Sequence, residues 1–231
     1  MEGQAEFISN WELEGVGGVV VVIDVLRAFT TAAYAFAAGA AAIYLVGTVT
    51  EALNLARSMP GSLTMGEVQG RKPREFDLSN SPVRVANSNI QGRILVHRTS
   101  AGTQGVVAAS GADRIFASSL VCASATAAAI NRIQTTPPTY VITGRLPDSS
   151  DGGEEDLLAA TLIEHVRRGK PVEPIAVAKA VAQTPGALRF QGHTNEHVHH
   201  LDVDYAVDVD RFDFAMEVER TNQHLLLVQR H

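Results

Sequence analysis

The chain predicts an α/β protein, a three-layer α/β/α arrangement on a mostly parallel sheet, and three observations carry that expectation. Val19 to Ile23 is an unbroken β-branched run, the pattern of a strand buried on both faces. An Ala-rich helical pattern, Ala32 to Ala38, follows and stops at Gly39. The same strand-then-helix alternation recurs down to about residue 168. At 231 residues and 45% hydrophobic content, residues 1–231 are read as one domain.

Residues 1–18 read as an irregular lead-in or a short strand. Ile43 to Val46 is the second strand of the core. Thr48 and Glu51 make a capping box for an amphipathic helix that Pro60-Gly61 ends, and Leu63 to Met65 is a short strand. Gly66 to Pro82 is a long polar segment, expected to be an ordered, functional loop. Arg93 to His97 is a strand, and Thr99-Ser-Ala-Gly-Thr103 opens an Ala-rich helix to Ser110. Ile115 to Ala117 and Thr139 to Thr143 are strands. Helices are expected over Cys122–Ile130, about 154–168 and Glu173–Gln183. Phe214 to Val218 and Leu225 to Gln229 read as late strands, an edge hairpin.

Gly39-Ala40 before Ile43 matches Gly111-Ala112 before Ile115, an offset of 111 − 39 = 72. The plain interpretation is an internal duplication of a βαβα unit, about 19–60 and 91–132. At that offset Arg27 meets Thr99, Thr30 meets Gly102 and Thr31 meets Thr103.

Charged residues are 19% and the net charge is −6, with no basic block, which argues against nucleic acid as a partner. One cysteine, Cys122, allows no intrachain disulfide. With no signal peptide pattern, the expected location is the cytoplasm. Ala28 to Thr50 is uncharged, but it splits into helix and strand patterns and is read as part of the domain, not as a membrane span. A small anionic phosphoester is the expected partner, and a homodimer the expected assembly.

Four polar turns follow strands: Asp24 to Thr31, Glu67 to Ser81, Thr99 to Thr103 and Gly144 to Asp156. If the strands are parallel, all four gather at one sheet edge, where α/β proteins bind ligands. The turns collect carboxylates (Asp24, Glu67, Asp77, Glu154, Glu155, Asp156), cations (Arg27, Arg71, Lys72, Arg74, Arg98, Arg145) and hydroxyls or free amides (Thr30, Thr31, Thr99, Ser100, Gly102, Thr103). Hard oxygen donors in that number suit Mg²⁺. A Thr/Ser/Gly turn at a helix start suits a phosphate. Metal-assisted phosphate-ester hydrolysis is the chemistry this set supports. Each part also has a plainer reading. Asp24 is equally a helix cap paired with Arg27, Thr99 a cap, Glu154 to Asp156 a favourable helix start. Leu26 stands where an aspartyl-phosphate mechanism needs its acid. The His193, His197, His199, His200 cluster reads as a solvated loop rather than a zinc site.

Ile23-Asp-Val-Leu-Arg-Ala-x-Thr-Thr31, Gly66-Glu67, Phe76-Asp-Leu-x-Asn-Ser-Pro82, Thr99-Ser-Ala-Gly-Thr103 and Gly144 followed by Glu155-Asp156 resemble, in order, the 2-phosphosulfolactate phosphatases. The resemblance implies an α/β sandwich with a duplicated element. It also implies a Mg²⁺-dependent hydrolysis of (2R)-2-phospho-3-sulfolactate, a step that in some organisms leads to coenzyme M. Carried onto this chain, it places Asp24, Glu67 and Glu155 or Asp156 at the metal. It places Arg27, Thr30, Thr31, Thr99, Ser100, Gly102, Thr103, Gly144 and Arg145 around the substrate, with Asn80 and Ser81 shaping the loop or binding it. Two positions depart: Val68 stands where the family has Arg after Gly-Glu, and Ser79 where it has Gly before Asn-Ser-Pro. Another small phosphorylated carboxylic acid is the alternative substrate, and a binding protein that keeps the anion pocket is the alternative function.

Overall fold

Every side chain of Val19–Ile23 is buried, because helices cover both faces of the strand. Val20 and Val22 join the apolar cluster around the first helix, while Val19, Val21 and Ile23 join the cluster on the opposite face. The computed structural model describes residues 4–133, 137–145, 152–221 and 223–231. The strands are β1 (Glu6–Ser9), β2 (Val19–Ile23), β3 (Ala42–Leu45), β4 (Leu63–Gly66), β5 (Leu78–Ser79), β6 (Ile94–Arg98), β7 (Arg114–Ser118), β8 (Thr139–Ile142), β9 (Ala215–Arg220) and β10 (Leu225–Arg230). The helices are α1 (Ala28–Ala37), α2 (Val49–Ser58), α3 (Pro82–Ala86), α4 (Gly102–Ala108), α5 (Ala123–Ile133), α6 (Glu154–Arg167), α7 (Pro174–Ala182), α8 (Pro185–Leu188) and α9 (Asp202–Ala206).

This is a mixed α/β fold on one sheet, in the order β1-β8-β2-β7-β9-β10-β3-β6-β4-β5. β1, β8, β2 and β7 are parallel to one another, as are β3, β6, β4 and β5. The antiparallel hairpin β9–β10 joins the two blocks. Following the pairings across the hairpin, the second block runs opposite to the first. Read from either end, the order is the same pattern: β8-β2-β7 on one side of the hairpin, β4-β6-β3 on the other.

Two expectations are corrected here. The C-terminal strands are not an edge hairpin but the centre of the sheet. Leu227, fully buried, and the Leu225–Leu227 pairing with β3 explain why that stretch is so apolar. Nor do the four turns share one edge of a uniformly parallel sheet. Asp24 and Thr143 follow β2 and β8 of the first block, whereas Glu67 and Thr99 follow β4 and β6 of the second. They meet because the sheet curls around α1 and α4.

The contact between α1 and α4 depends on small residues. α1 is buried from Ala28 to Phe36. A Cβ placed on Gly102 would sit 2.7 Å from both Ala28 Cβ and Asp24 Oδ2, so only glycine admits this approach. α2 lies over its own small apolar cluster with Val46, Phe76 and Val96. Thr48 caps it by accepting from Glu51 N, as its sequence predicts. The long polar segment is ordered: Phe76 is 2% exposed, and Asp77 accepts from both the N–H and the hydroxyl of Thr64. Among the described residues no helix is long and apolar enough to cross a membrane.

Candidate active site

Asp24 is the first residue past β2 and is 6% exposed. Its Oδ1 accepts from Ala28 N at 2.9 Å, so it does cap α1. Burial pushes its carboxyl up to about 7, although the Ala28 and Gly102 amides favour the ionised form; Glu67 and Glu155 push in the same direction as burial. Asp156, 2% exposed, accepts from Val25 N (2.8 Å), Gly144 N (2.9 Å) and the Thr143 hydroxyl (3.2 Å). Burial, then the charges of Asp24 and Glu155, hold it well above the ordinary carboxylate range. Glu155 is 8% exposed and also raised by burial. Its Oε2 has no hydrogen-bond partner among the described residues, and α8 packs on it so closely that a Cβ on Gly186 would overlap its Oε1. Asp24, Glu155 and Asp156 thus crowd one region, joined by chain segments more than a hundred residues apart.

Glu67 reaches the same region from the second block. Its carboxylate accepts from the N–H and hydroxyl of Ser100 and from Gly70 N, which closes the turn in which Val68 pairs with Arg71. Ser100 in turn accepts from Gln69 N at 2.8 Å. Thr99 and Thr103 are bound to each other: each hydroxyl accepts from the other's N–H, at 3.0 and 2.8 Å. Their hydroxyls hold the α4 turn first. The Thr30 hydroxyl donates to Val25 O, whereas that of Thr31 is buried without a partner.

Three expected site residues are held in place by partners the sequence did not bring forward. Arg27, 3% exposed, does not pair with Asp24. Its Nη1 meets Asp202 Oδ2 at 2.6 Å and His197 O at 3.1 Å. The Ser81 hydroxyl donates to Asp202 Oδ1 at 2.5 Å. Asn80 Oδ1 lies 3.4 Å from Nε2 of His97, whose complete burial pulls it down to about 3. Gly144 contributes its N–H to Asp156, and Arg145 beside it lies in electrostatic reach of Glu12. Residues 146–151 of that expected acidic loop lie outside the described residues.

The sequence reading missed Asp202, Thr143 and Asn10. Thr143 was findable, being the first residue past β8. Asn10, which donates to Ala101 O at 3.5 Å, follows an edge strand that the sequence barely marks. The His-rich segment is a loop, exposed from residue 191 to 196, as expected, but it is tethered. Lys72 N donates to His197 Nδ1, Arg84 donates to Asn195 O, and Thr194 bonds His200, so residues 194–202 form an ordered strap against the Glu67 turn and α3. A surface cavity of about 510 Å³ is bordered by Lys72, Ser79, Arg84 and His199.

The family model for 2-phosphosulpholactate phosphatase matches residues 7–221. The chain belongs to the 2-phosphosulfolactate phosphatase family. It is 30% identical over 206 residues, 88% of each chain, to a probable 2-phosphosulfolactate phosphatase of Bacillus subtilis. A protein of the same description from Thermus thermophilus is 35% identical over 68% of this chain and 65% of its own. One from Carboxydothermus hydrogenoformans is 42% identical over 47% of this chain and 44% of its own. The phosphatase family match spans every element that carries a site residue.

The residues present suit a divalent cation. Four acidic groups are buried, three of them with raised proton affinity, and Glu155 keeps an oxygen with no partner among the described residues. Arg27, the cation closest along the chain to Asp24, turns its Nη1 to Asp202 rather than to these acids. Among the described residues no three His, Cys, Asp or Glu side chains form a ready ligand group.

Proposed function

We propose that this protein is a Mg²⁺-dependent phosphoric monoester hydrolase that releases phosphate from 2-phosphosulfolactate, leaving sulfolactate. The observation that carries the reading is the meeting of Asp24, Glu155 and Asp156 with Glu67, a group of buried acids that a bound cation would let ionise together. Asp24 and Asp156, with Glu155 or Glu67, would hold Mg²⁺. Mg²⁺ supplies Lewis-acid polarisation of the phosphoryl group and a more acidic bound water. The rest falls to the chain. The α4 turn, Thr99 to Thr103, turns its Gly102 amide toward Asp24, and Ser100 is fixed beside it by Glu67. Arg27 binds an acid group of the substrate. The Thr143 hydroxyl and Gly144 and Val25 amides keep the Asp156 carboxylate oriented. Water attacks phosphorus, the P–O bond to the sulfolactate oxygen breaks, and that oxygen takes a proton.

The test is phosphate release with and without Mg²⁺, combined with melting. Wild type should melt higher in saturating Mg²⁺, by about 2.7 kcal/mol of stabilisation at a hundredfold excess over Kd. Asp24→Asn should lose both that shift and turnover while staying folded. Turnover that persists in EDTA removes the metal from the mechanism. Val68 favours keeping a second substrate in view, another small phosphorylated carboxylic acid. Arg71 pairs with Val68 across the turn through its backbone. Faster release from phospholactate than from 2-phosphosulfolactate would select that substrate.

The same proposal includes a duplicated scaffold. What supports it is the mirrored strand order about β9–β10. β2, α1 and β3 take the places on one side that β6, α4 and β7 take on the other. On this reading Asp24 corresponds to Thr99, an offset of 99 − 24 = 75, and Ala42 to Arg114, an offset of 114 − 42 = 72. α4 has seven residues against ten in α1, which accounts for the change of three.

A further inference from the structure

We propose that Asp202 and Phe190 are positioning residues for Arg27, so that the strap from Phe190 to Asp202 is part of the active site and governs how tightly the anionic substrate is held; this rests on the functional reading above. The ion pair between Arg27 and Asp202 is buried at both ends, with side-chain exposures of 2% and 0%. Burying such a pair gains little stability, because desolvating both charges offsets their attraction. Its use is geometric. Asp202 is itself locked: Oδ2 accepts from Arg27 and from His199 N (2.9 Å), and Oδ1 accepts from Ser81. Both N–H groups of Arg27 Nη1 are taken up by Asp202 and His197 O. The Phe190 ring covers one face of the guanidinium, its centroid 4.7 Å from Cζ. The Nε and Nη2 donors of Arg27 have no partner among the described residues. Arg27 is the N-cap of α1, three residues after Asp24. It therefore carries a guanidinium whose orientation is set from one side and whose remaining N–H fork is free for a carboxylate, sulfonate or phosphate.

The strap is also tied to the Glu67 turn, through Lys72 N and His197 Nδ1, and to the Asn80–Ser81 loop, through Asp202. One carboxylate thus sets the register of a cation from the first block and a loop from the second.

The experiment measures KM and kcat with 2-phosphosulfolactate for Asp202→Asn, Asp202→Glu, Phe190→Leu, Arg27→Lys and the Arg27→Lys/Asp202→Asn double variant. Asp202→Asn should raise KM about tenfold or more with kcat within about threefold, and Asp202→Glu should recover most of it. The double variant should be no worse than Arg27→Lys alone, because Asp202 acts only through Arg27. Phe190→Leu, which leaves the ion pair intact, should raise KM severalfold and keeps the question answerable if Asp202→Asn does not fold. Unchanged KM in both Phe190→Leu and the Asp202 variants overturns the proposal, as does strict additivity in the double variant. If wild type binds 2-phosphosulfolactate by thermal shift yet releases no phosphate, the functional reading fails. Positioning is then judged from the half-saturating concentration in the same variants.

Discussion

The turn after β2 and the turn after β6 use one backbone device for two ends. In the first, Asp24 Oδ1 accepts from the N–H four residues on, Ala28, at 2.9 Å. In the second, Thr99 Oγ1 accepts from the N–H four residues on, Thr103, at 3.0 Å. Both start a buried helix and both stand one residue beyond a strand. The first turn puts a charge there, and its carboxyl is pushed up to about 7 by burial and by other acids. The second puts a hydroxyl there, and that hydroxyl is closed into a reciprocal pair with Thr103. What differs is not the local fold but the cost of desolvation. A hydroxyl satisfied by one amide is content when buried, whereas a carboxylate must take up a proton or meet a cation. Capping is thus the shared role, and the buried charge is what marks the first turn for chemistry.

Making the first turn like the second breaks the comparison most severely. Asp24→Thr keeps a cap and removes the charge; phosphate release should fall about a hundredfold or more while circular dichroism is unchanged. Activity close to wild type would mean that Asp24 is only a cap. Next comes the contact that lets the two turns meet. Gly102→Ala drives a Cβ into Ala28 and Asp24 and should cost roughly 1–3 kcal/mol, read in urea unfolding, together with a loss of activity. A neutral result would show that α1 and α4 have slack between them. Thr99→Val is milder. It should cost about 1 kcal/mol, or about 2–4 °C in Tm, with activity within a few-fold.

The effect smallest at neutral pH is one that acid brings out. Val22 and His97 hold corresponding places on β2 and β6, and both are fully buried. His97 is pulled down to about 3, from an unfolded value near 6.5. Below pH 6.5 the unfolded chain binds a proton that the folded one refuses, so stability falls as pH falls, by at most about 1.4 kcal/mol per unit, until about pH 3. His97→Val should flatten the Tm profile between pH 6 and 4. A profile as steep as wild type would assign the acid sensitivity to another group.

Residue periodicity was enough for most of the strands and longer helices and for bringing forward the candidate acids that meet in the structure. The β-branched run, the Ala-rich helices and the Thr48 cap are local patterns whose physics is complete within ten residues. Asp24, Glu67, Glu155, Asp156 and the Thr99 turn were readable because each sits just past a strand or opens a helix, where side chains and free amides must point toward a ligand edge. Only tertiary structure decided strand direction across the hairpin, since antiparallel and parallel pairing bury the same residues in a doubly covered sheet. It also decided the partner of Arg27. A guanidinium reaches several ångströms in any direction, and the choice of Asp202 over Asp24 was made by a strap 170 residues away whose sequence has neither helical nor strand period.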